Sequence, residues 1–204
     1  MMKELNVQPI FPVGINHSEL NREFTKEEIS FFQKCKESET IRNTGNTFTE
    51  NYYILNEPEM KNLKNDLMMS VNHYFYNVLQ AKETVEPYIT ISWINFTEKN
   101  QFHHKHYHPN SYLSGVFYID VDEKKDSIFF FNSHEPEIVP AFQNFNLFNA
   151  PNWNFTVRNK LLLLFPSRIK HEVLIKDGNN TRISLSFNVF LRGDIGSILT
   201  ELKL

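Results

Sequence analysis

The sequence predicts a mainly β fold, a sandwich or barrel buttressed by helices, with an α+β arrangement as the alternative. Three observations carry that expectation. The hydrophobic period changes from about 3.6 to about 2 near Tyr88. Beyond that point β-branched and aromatic residues dominate. Turn signals such as KDGNN, at 176–180, then separate several of the alternating runs.

Taken in order, the chain starts with an extended, proline-punctuated stretch and moves into NREFTKEEISFFQKCKES. Thr25 followed by Glu28 is a capping-box pattern ahead of an amphipathic helix. A second helix is expected across NEPEMKNLKNDLMMSVNHYFYNVLQAK, where Met60, Leu63, Leu67, Val71 and Phe75 recur at helical spacing and form a face to pack on a sheet. Strands are expected in YITISWINFT, YLSGVFYIDV, DSIFFFN, KLLLLFP, HEVLIK and TRISLSFNVFL. The Asn- and Phe-rich FNSHEPEIVPAFQNFNLFNAPNWNF reads either as a loop over the mouth of a site or as short edge strands. No internal repeat, heptad or linker interrupts the 204 residues, so one domain is expected.

Composition narrows the function. A hydrophobic content of 41%, with 19 Phe, is that of a chain able to build a core. The net charge of −3 offers no general attraction to nucleic acid or anionic lipid, which leaves a small molecule or a protein as the expected substrate. The amino terminus lacks the apolar stretch of a signal peptide, and no apolar run approaches the roughly 20 residues that span a bilayer. A cytoplasmic protein with no membrane partner is the expectation. The single cysteine, Cys35, cannot form an intrachain disulfide, agrees with a reducing compartment, and sits in a helix-like segment with no histidine nearby in sequence; it reads as a structural or surface thiol.

The chemistry concentrates in QFHHKHYHPNSYLSGVFYID. Four of the eight histidines, His103, His104, His106 and His108, fall within six positions there. In an extended segment residues two apart share a face and lie roughly 6.5–7 Å apart, so His104, His106 and His108 would point the same way. Two imidazoles so placed can converge on a metal through bonds of about 2.0–2.1 Å, with a third ligand from elsewhere. A histidine-rich loop can also be simply solvated. Farther on, His171 begins an apolar strand, and after a turn Arg182, Ser184, Ser186 and Asn188 alternate with Ile183, Leu185, Phe187 and Val189. The polar face of that strand could look to water. On the wall of a barrel, an arginine beside a serine is instead suited to hold a carboxylate.

HYHPNSYLSGVFYI, LLLLFPSRIKHEV and RISLSFN together resemble the iron(II)- and 2-oxoglutarate-dependent oxygenases, in particular a branch from marine bacteria and their phages within the prolyl hydroxylase-like superfamily. The likeness runs from about Thr44 onward, with TGNTFTENYYILNEPEMKNLK resembling the region ahead of the core. It implies a double-stranded β-helix, a jelly-roll or cupin-like barrel, with helical support over about 1–86 and the β-helix core over about 87–192. It further implies Fe(II), 2-oxoglutarate and O2 as cofactors. The metal ligands would be His106, His108 and His171, with His104 replacing one of them if the register is shifted. Arg182 would bind the distal carboxylate of 2-oxoglutarate, helped by Ser184, with Tyr118 as a further member of that pocket. His103 and His17 are expected at the surface.

Position 108 departs from the family pattern, which places a carboxylate there to complete a 2-His-1-carboxylate triad. Neutral imidazole removes one negative charge from the metal's surroundings, and three histidines would also suit zinc or copper. Of the other carboxylates, Glu172 neighbours His171 but should point to the opposite strand face, Asp120 lies near a strand end about twelve residues from His108, and Glu98 or Glu135 are the ones that folding could bring close. The expected reaction is hydroxylation of substrate coupled to oxidative decarboxylation of 2-oxoglutarate to succinate and CO2. A three-His cupin-like metalloenzyme that does not use 2-oxoglutarate and a non-catalytic jelly-roll binding or structural protein, such as one from a virion, are the alternatives. No Gly-x-Ser-x-Gly elbow, phosphate-binding glycine loop or Cys-x-x-Cys pair supports hydrolase, nucleotide or zinc-finger chemistry.

Overall fold

A computed structural model describes residues 6–133 and 138–204. The first strand, β1 (Asn16–Glu19), is followed by helix α1 (Lys26–Glu37). Thr25 caps that helix as its sequence predicts: its hydroxyl accepts from Glu28 N–H at 3.2 Å, and Glu28 Oε2 accepts from Thr25 N–H at 2.9 Å. Phe31, Phe32 and Cys35 form its buried face. Burial pushes the Cys35 thiol up to about 11, which keeps it protonated and inert as a nucleophile.

Glu28 is fully buried but not alone. Arg22 donates to both of its carboxylate oxygens, at 2.8 and 2.7 Å, and to Asp66 Oδ2 on the second helix at 2.8 Å. Burial pushes the Glu28 carboxyl up, but the Arg22 and Thr25 hydrogen bonds and the Arg22 charge prevail and leave its pKa below the ordinary 4.5. Its stabilising contribution is therefore complete above 4.5 and is lost as pH falls through the depressed value. Glu28→Gln should cost about 2 kcal/mol at pH 7. Thermal melts of variant and parent should converge in acid, and a constant gap down to pH 2 would sink the assignment.

Strands β2 (Thr40–Arg42) and β3 (Thr47–Thr49) precede two short 3-10 turns, Ile54–Asn56 and Pro58–Met60, and helix α2 (Lys61–Asn72), which ends in a π-helical stretch at His73–Val78. The predicted stripe of Met60, Leu63, Leu67, Val71 and Phe75 is buried in full. The helix expected there as one element is thus a composite, with the wider π turn carrying the stripe past His73.

The remaining strands are β4 (Val85–Thr97), β5 (His103–His106), β6 (Leu113–Asp120), β7 (Ser127–Phe131), β8 (Asn152–Thr156), β9 (Leu161–Pro166), β10 (His171–Val173), β11 (Arg182–Ile195) and β12 (Leu202–Lys203). They make two antiparallel sheets. The larger runs β1-β9-β6-β11-β4-β3-β2, with β12 attached to β11, and the smaller runs β5-β10-β7-β8. Consecutive strands alternate between sheets through much of the core, giving the predicted jelly-roll. The amino-terminal part is more than helical support, because β1, β2 and β3 extend both edges of the larger sheet. The segment read as loop or edge strand resolves into both: β8 is an edge strand pairing β7, and the residues from 138 to 151 lie outside the strands.

Alternation in the central strands divides the molecule. Ile183, Leu185, Phe187 and Val189 join Ile94, Phe96, Phe117, Leu162 and Leu164 in one cluster with Phe31, Phe32, Leu63, Leu67 and Val71 of the helices. A second cluster, Val116, Tyr118, Ile128, Phe130, Leu163, Phe165 and Val173, draws on both sheets. The apolar face of β11 is therefore spent on the helices. Its polar face turns into the barrel and not to water.

Candidate metal and 2-oxoglutarate site

One cavity between the sheets is lined by His103, His106, His108, His171, Tyr118, Arg182 and Ser184, together with Trp93, Asn95 and Ser186. All six of the predicted ligand and cofactor residues are thus brought together. Their placement follows from strand register. His171 of β10 lies directly across from His106 of β5 and, on its other side, from Phe130 of β7. His108 lies just past β5, where its backbone N–H donates to Ser167 O at 2.9 Å.

One ring nitrogen from each of His106, His108 and His171 lies within 4.8 Å of the others. His106 donates Nδ1–H to His104 O at 2.7 Å, and His171 donates Nδ1–H to Ile169 O at 3.0 Å. Those bonds fix the tautomer and leave each Nε2 with its lone pair exposed to the cavity. His171 Nε2 and His108 Nε2 stand 3.4 Å apart, a separation suited to two ligands of one metal ion with bonds near 2.1 Å. Phe165 packs edge-on against the His171 ring at 4.8 Å and limits its rotation. Burial first, then the charge of the neighbouring His106, pushes His171 down to about 3 and His108 to about 4. Both rings are neutral at physiological pH, the form a metal needs.

Among the described residues, the groups of His, Cys, Asp and Glu close enough to share an ion contain histidines alone. Glu172, Asp120 and Glu98 supply no carboxylate to the triad; Glu98 accepts instead from Thr181 Oγ1 at 2.7 Å. Glu135 lies outside the described residues. His17 is exposed on β1, as expected.

His103 differs from expectation. It is half-buried and lines the cavity, because β5 carries an irregularity: four residues, His103 to His106, match only three, Val173 to His171, on β10. The extra residue breaks strict alternation and turns His103 to the same side as His106, with the two rings stacked at 4.5 Å and 16°. Burial above all, then the neighbouring histidines, pushes its pKa down to about 2.

The other part of the cavity belongs to Arg182, which is 3% exposed, and whose Nε and Nη1 have no hydrogen-bond partner among the described residues. The Tyr118 hydroxyl and Thr97 Oγ1 are buried and unpartnered in the same way. Register puts these three together. Arg182 faces Thr97 across β4, and the next inward residue, Ser184, faces Tyr118 across β6. Burial raises the pKa of Tyr118, so its phenol remains a donor. A buried guanidinium with idle donors is costly unless an anion meets it. The constellation therefore fits a carboxylate, and the histidine triad fits a divalent cation.

Trp93, Asn95, Thr97 and Ser186 were not singled out from sequence. Their signal is present in WINFT, where Trp93 and Asn95 line the cavity, Thr97 shares their parity, and Ile94 and Phe96 enter the helix-side core. The inward row is already linked: Trp93 Nε1 donates to Asn95 Oδ1 at 3.1 Å, and Asn95 Nδ2 donates to Ser186 Oγ at 2.9 Å.

Residues 91–188 match a family model described as "Putative 2OG-Fe(II) oxygenase". No curated protein matches the sequence. Solved structures with a similar fold include the non-heme alpha ketoglutarate dependent epimerase SnoN from nogalamycin biosynthesis, at 12% identity and a TM-score of 0.61, covering 89% of this chain and 81% of that one. HygX from Streptomyces hygroscopicus, solved with nickel and 2-oxoglutarate bound, is similar at 14% identity and a TM-score of 0.56, covering 87% and 82%. A Pseudomonas putida prolyl-4-hydroxylase is similar at 13% identity and a TM-score of 0.54, covering 86% and 92%. The matched segment runs from within β4 to within β11 and contains every histidine of the triad as well as Arg182, and over it the chain is similar to the 2OG-Fe(II) oxygenases.

Proposed function

We propose that His106, His108 and His171 hold Fe(II), that Arg182, Tyr118 and Ser184 bind 2-oxoglutarate, and that the enzyme hydroxylates a small-molecule or protein substrate. The observation that carries this reading is the single cavity in which three neutral imidazoles and a buried, unpartnered guanidinium meet. Fe(II) and 2-oxoglutarate, when bound, supply the activation of O2, with 2-oxoglutarate leaving as succinate and CO2. The chain's own share is positioning. The carbonyls of His104 and Ile169 hold the His106 and His171 rings in the ligating tautomer. Arg182 receives the distal carboxylate on its idle Nε and Nη1, Tyr118 adds a phenolic donor, and Thr97 stands opposite Arg182 to offer a hydroxyl. Val116, Ile128 and Phe165 make the apolar wall that keeps bulk water from the reacting centre.

A cytoplasmic location suits a chain whose single cysteine, Cys35, is buried and free. Among the described residues no helix is long and apolar enough to cross a membrane. Anaerobic titration with Fe(II) and 2-oxoglutarate tests the reading: the visible absorption of 2-oxoglutarate chelated to Fe(II) should appear in the parent protein. Bound iron with no such absorption would favour a three-His enzyme that does not use 2-oxoglutarate.

His108 gives a sharper test of the metal's charge environment. Three imidazoles leave the dication uncompensated, whereas a carboxylate would supply one negative charge. His108→Asp is expected to tighten Fe(II) binding about tenfold at pH 7. Equal or weaker Fe(II) binding by equilibrium dialysis would show that the cavity is adjusted to the imidazole and not merely tolerant of it.

A further inference from the structure

The oxygenase reading uses His106, His108 and His171, and leaves His103, which lines the cavity, and its neighbour His104 without a task. His103, His104 and His106 form a second group in which one ring nitrogen from each residue lies within 4.8 Å of the others. The β5 irregularity builds it by turning His103 onto the His106 side, and the ring centres stand 4.5 Å apart for His103 and His106, 4.9 Å for His104 and His106, and 5.4 Å for His103 and His104. His104 Nδ1 is buried and has no hydrogen-bond partner among the described residues. His103 Nε2 has only a long contact, 3.4 Å to Asn43 Nδ2. A buried ring nitrogen without a partner is an unmet polar group, and a metal ion would satisfy it.

We infer that His103, His104 and His106 form a second, outer metal site for imidazole-seeking divalent cations such as Zn(II), and that it excludes metal from the inner triad. Exclusion follows from His106. Its Nδ1–H is committed to His104 O at 2.7 Å, so Nε2 is its one free lone pair and can serve one ion at a time. Donor chemistry selects the occupant: three imidazoles with no carboxylate suit Zn(II), Ni(II) or Cu(II). An ion in the outer site takes His106 away from the inner triad, so the pair of sites makes the enzyme sensitive to these metals through a shared ligand and not only by direct competition for the iron position.

Zinc binding to the metal-free full chain tests this. The parent should bind one equivalent. The double variant H108A/H171A, which dismantles the inner triad and spares the outer one, should still bind one Zn(II), and adding H103A and H104A should weaken that binding at least 100-fold. H108Q/H171Q repeats the measurement with side chains nearer in volume should the alanine pair not fold. No zinc in folded H108A/H171A or H108Q/H171Q, or zinc there that is indifferent to His103 and His104, overturns the outer site. Two equivalents in the parent overturn the exclusion. Failure of the oxygenase reading is separately visible, as loss of the Fe(II) and 2-oxoglutarate absorption in the parent.

Discussion

In a His171→Ala variant, Fe(II) binding is expected to weaken by more than about 100-fold and succinate formation from 2-oxoglutarate to fall to background. His171 is central to the triad in three ways. It faces His106 across the smaller sheet, its Nε2 stands 3.4 Å from that of His108, and it is the most buried of the three rings, at 6% exposure. Removing it leaves two ligands from one short segment of chain, and such a pair holds a divalent ion weakly. The same change empties space beside Phe165 and Phe130, so some stability is lost as well, on the order of 2 kcal/mol. His171→Gln separates the two effects because it refills most of the space. If both variants fold and lose iron, ligation is the role of His171. If the glutamine variant keeps full iron affinity, the ring is structural and the metal lies elsewhere.

The parts of this site that were legible in the sequence are those that regular alternation dictates. Arg182, Ser184 and Ser186 occupy one parity of β11 and Ile183, Leu185 and Phe187 the other, so their separation onto two faces needed no structure. Which face looked into the barrel was not decided by β11 itself. It was decided by α1 and α2, whose apolar stripes claim the Ile183 side and leave the Arg182 side for the cavity. Position 103 failed for the complementary reason. Strict alternation puts His103 opposite to His104 and His106, and only the pairing of β5 with β10, a contact between segments some seventy residues apart, creates the extra residue that brings His103 round. Thr97 was hidden differently: a threonine ending an aromatic-rich strand looks like ordinary sheet, and its meaning comes from standing opposite Arg182 with an unpartnered hydroxyl. Local pattern thus carries the strand faces, while the identity of the site's neighbours rests on long-range register.

Arg182→Met is expected to move two quantities in opposite directions. Half-saturation by 2-oxoglutarate should rise about 100-fold, because truncating a buried, charge-paired group costs about 2–5 kcal/mol. The protein without cosubstrate should meanwhile melt at a higher temperature than the parent. In the free enzyme the guanidinium is 3% exposed, Nε and Nη1 have no partner among the described residues, and Asp126, whose charge reaches it, is already paired with Lys176 at 3.2 Å. Methionine fills similar space without a charge to desolvate, and replacing buried ions by apolar side chains of similar volume is often stabilising. Addition of 2-oxoglutarate with Fe(II) under anaerobic conditions should then raise the melting temperature of the parent and leave that of Arg182→Met nearly unmoved. A variant that melts lower and still gains from 2-oxoglutarate would make Arg182 a structural cation and transfer the carboxylate site to other donors of the cavity. The higher melting point together with the lost response would mean that the free enzyme holds a destabilising cation in its barrel for the cosubstrate to neutralise, so that part of the energy released on binding 2-oxoglutarate is relief of a cost already built into the fold.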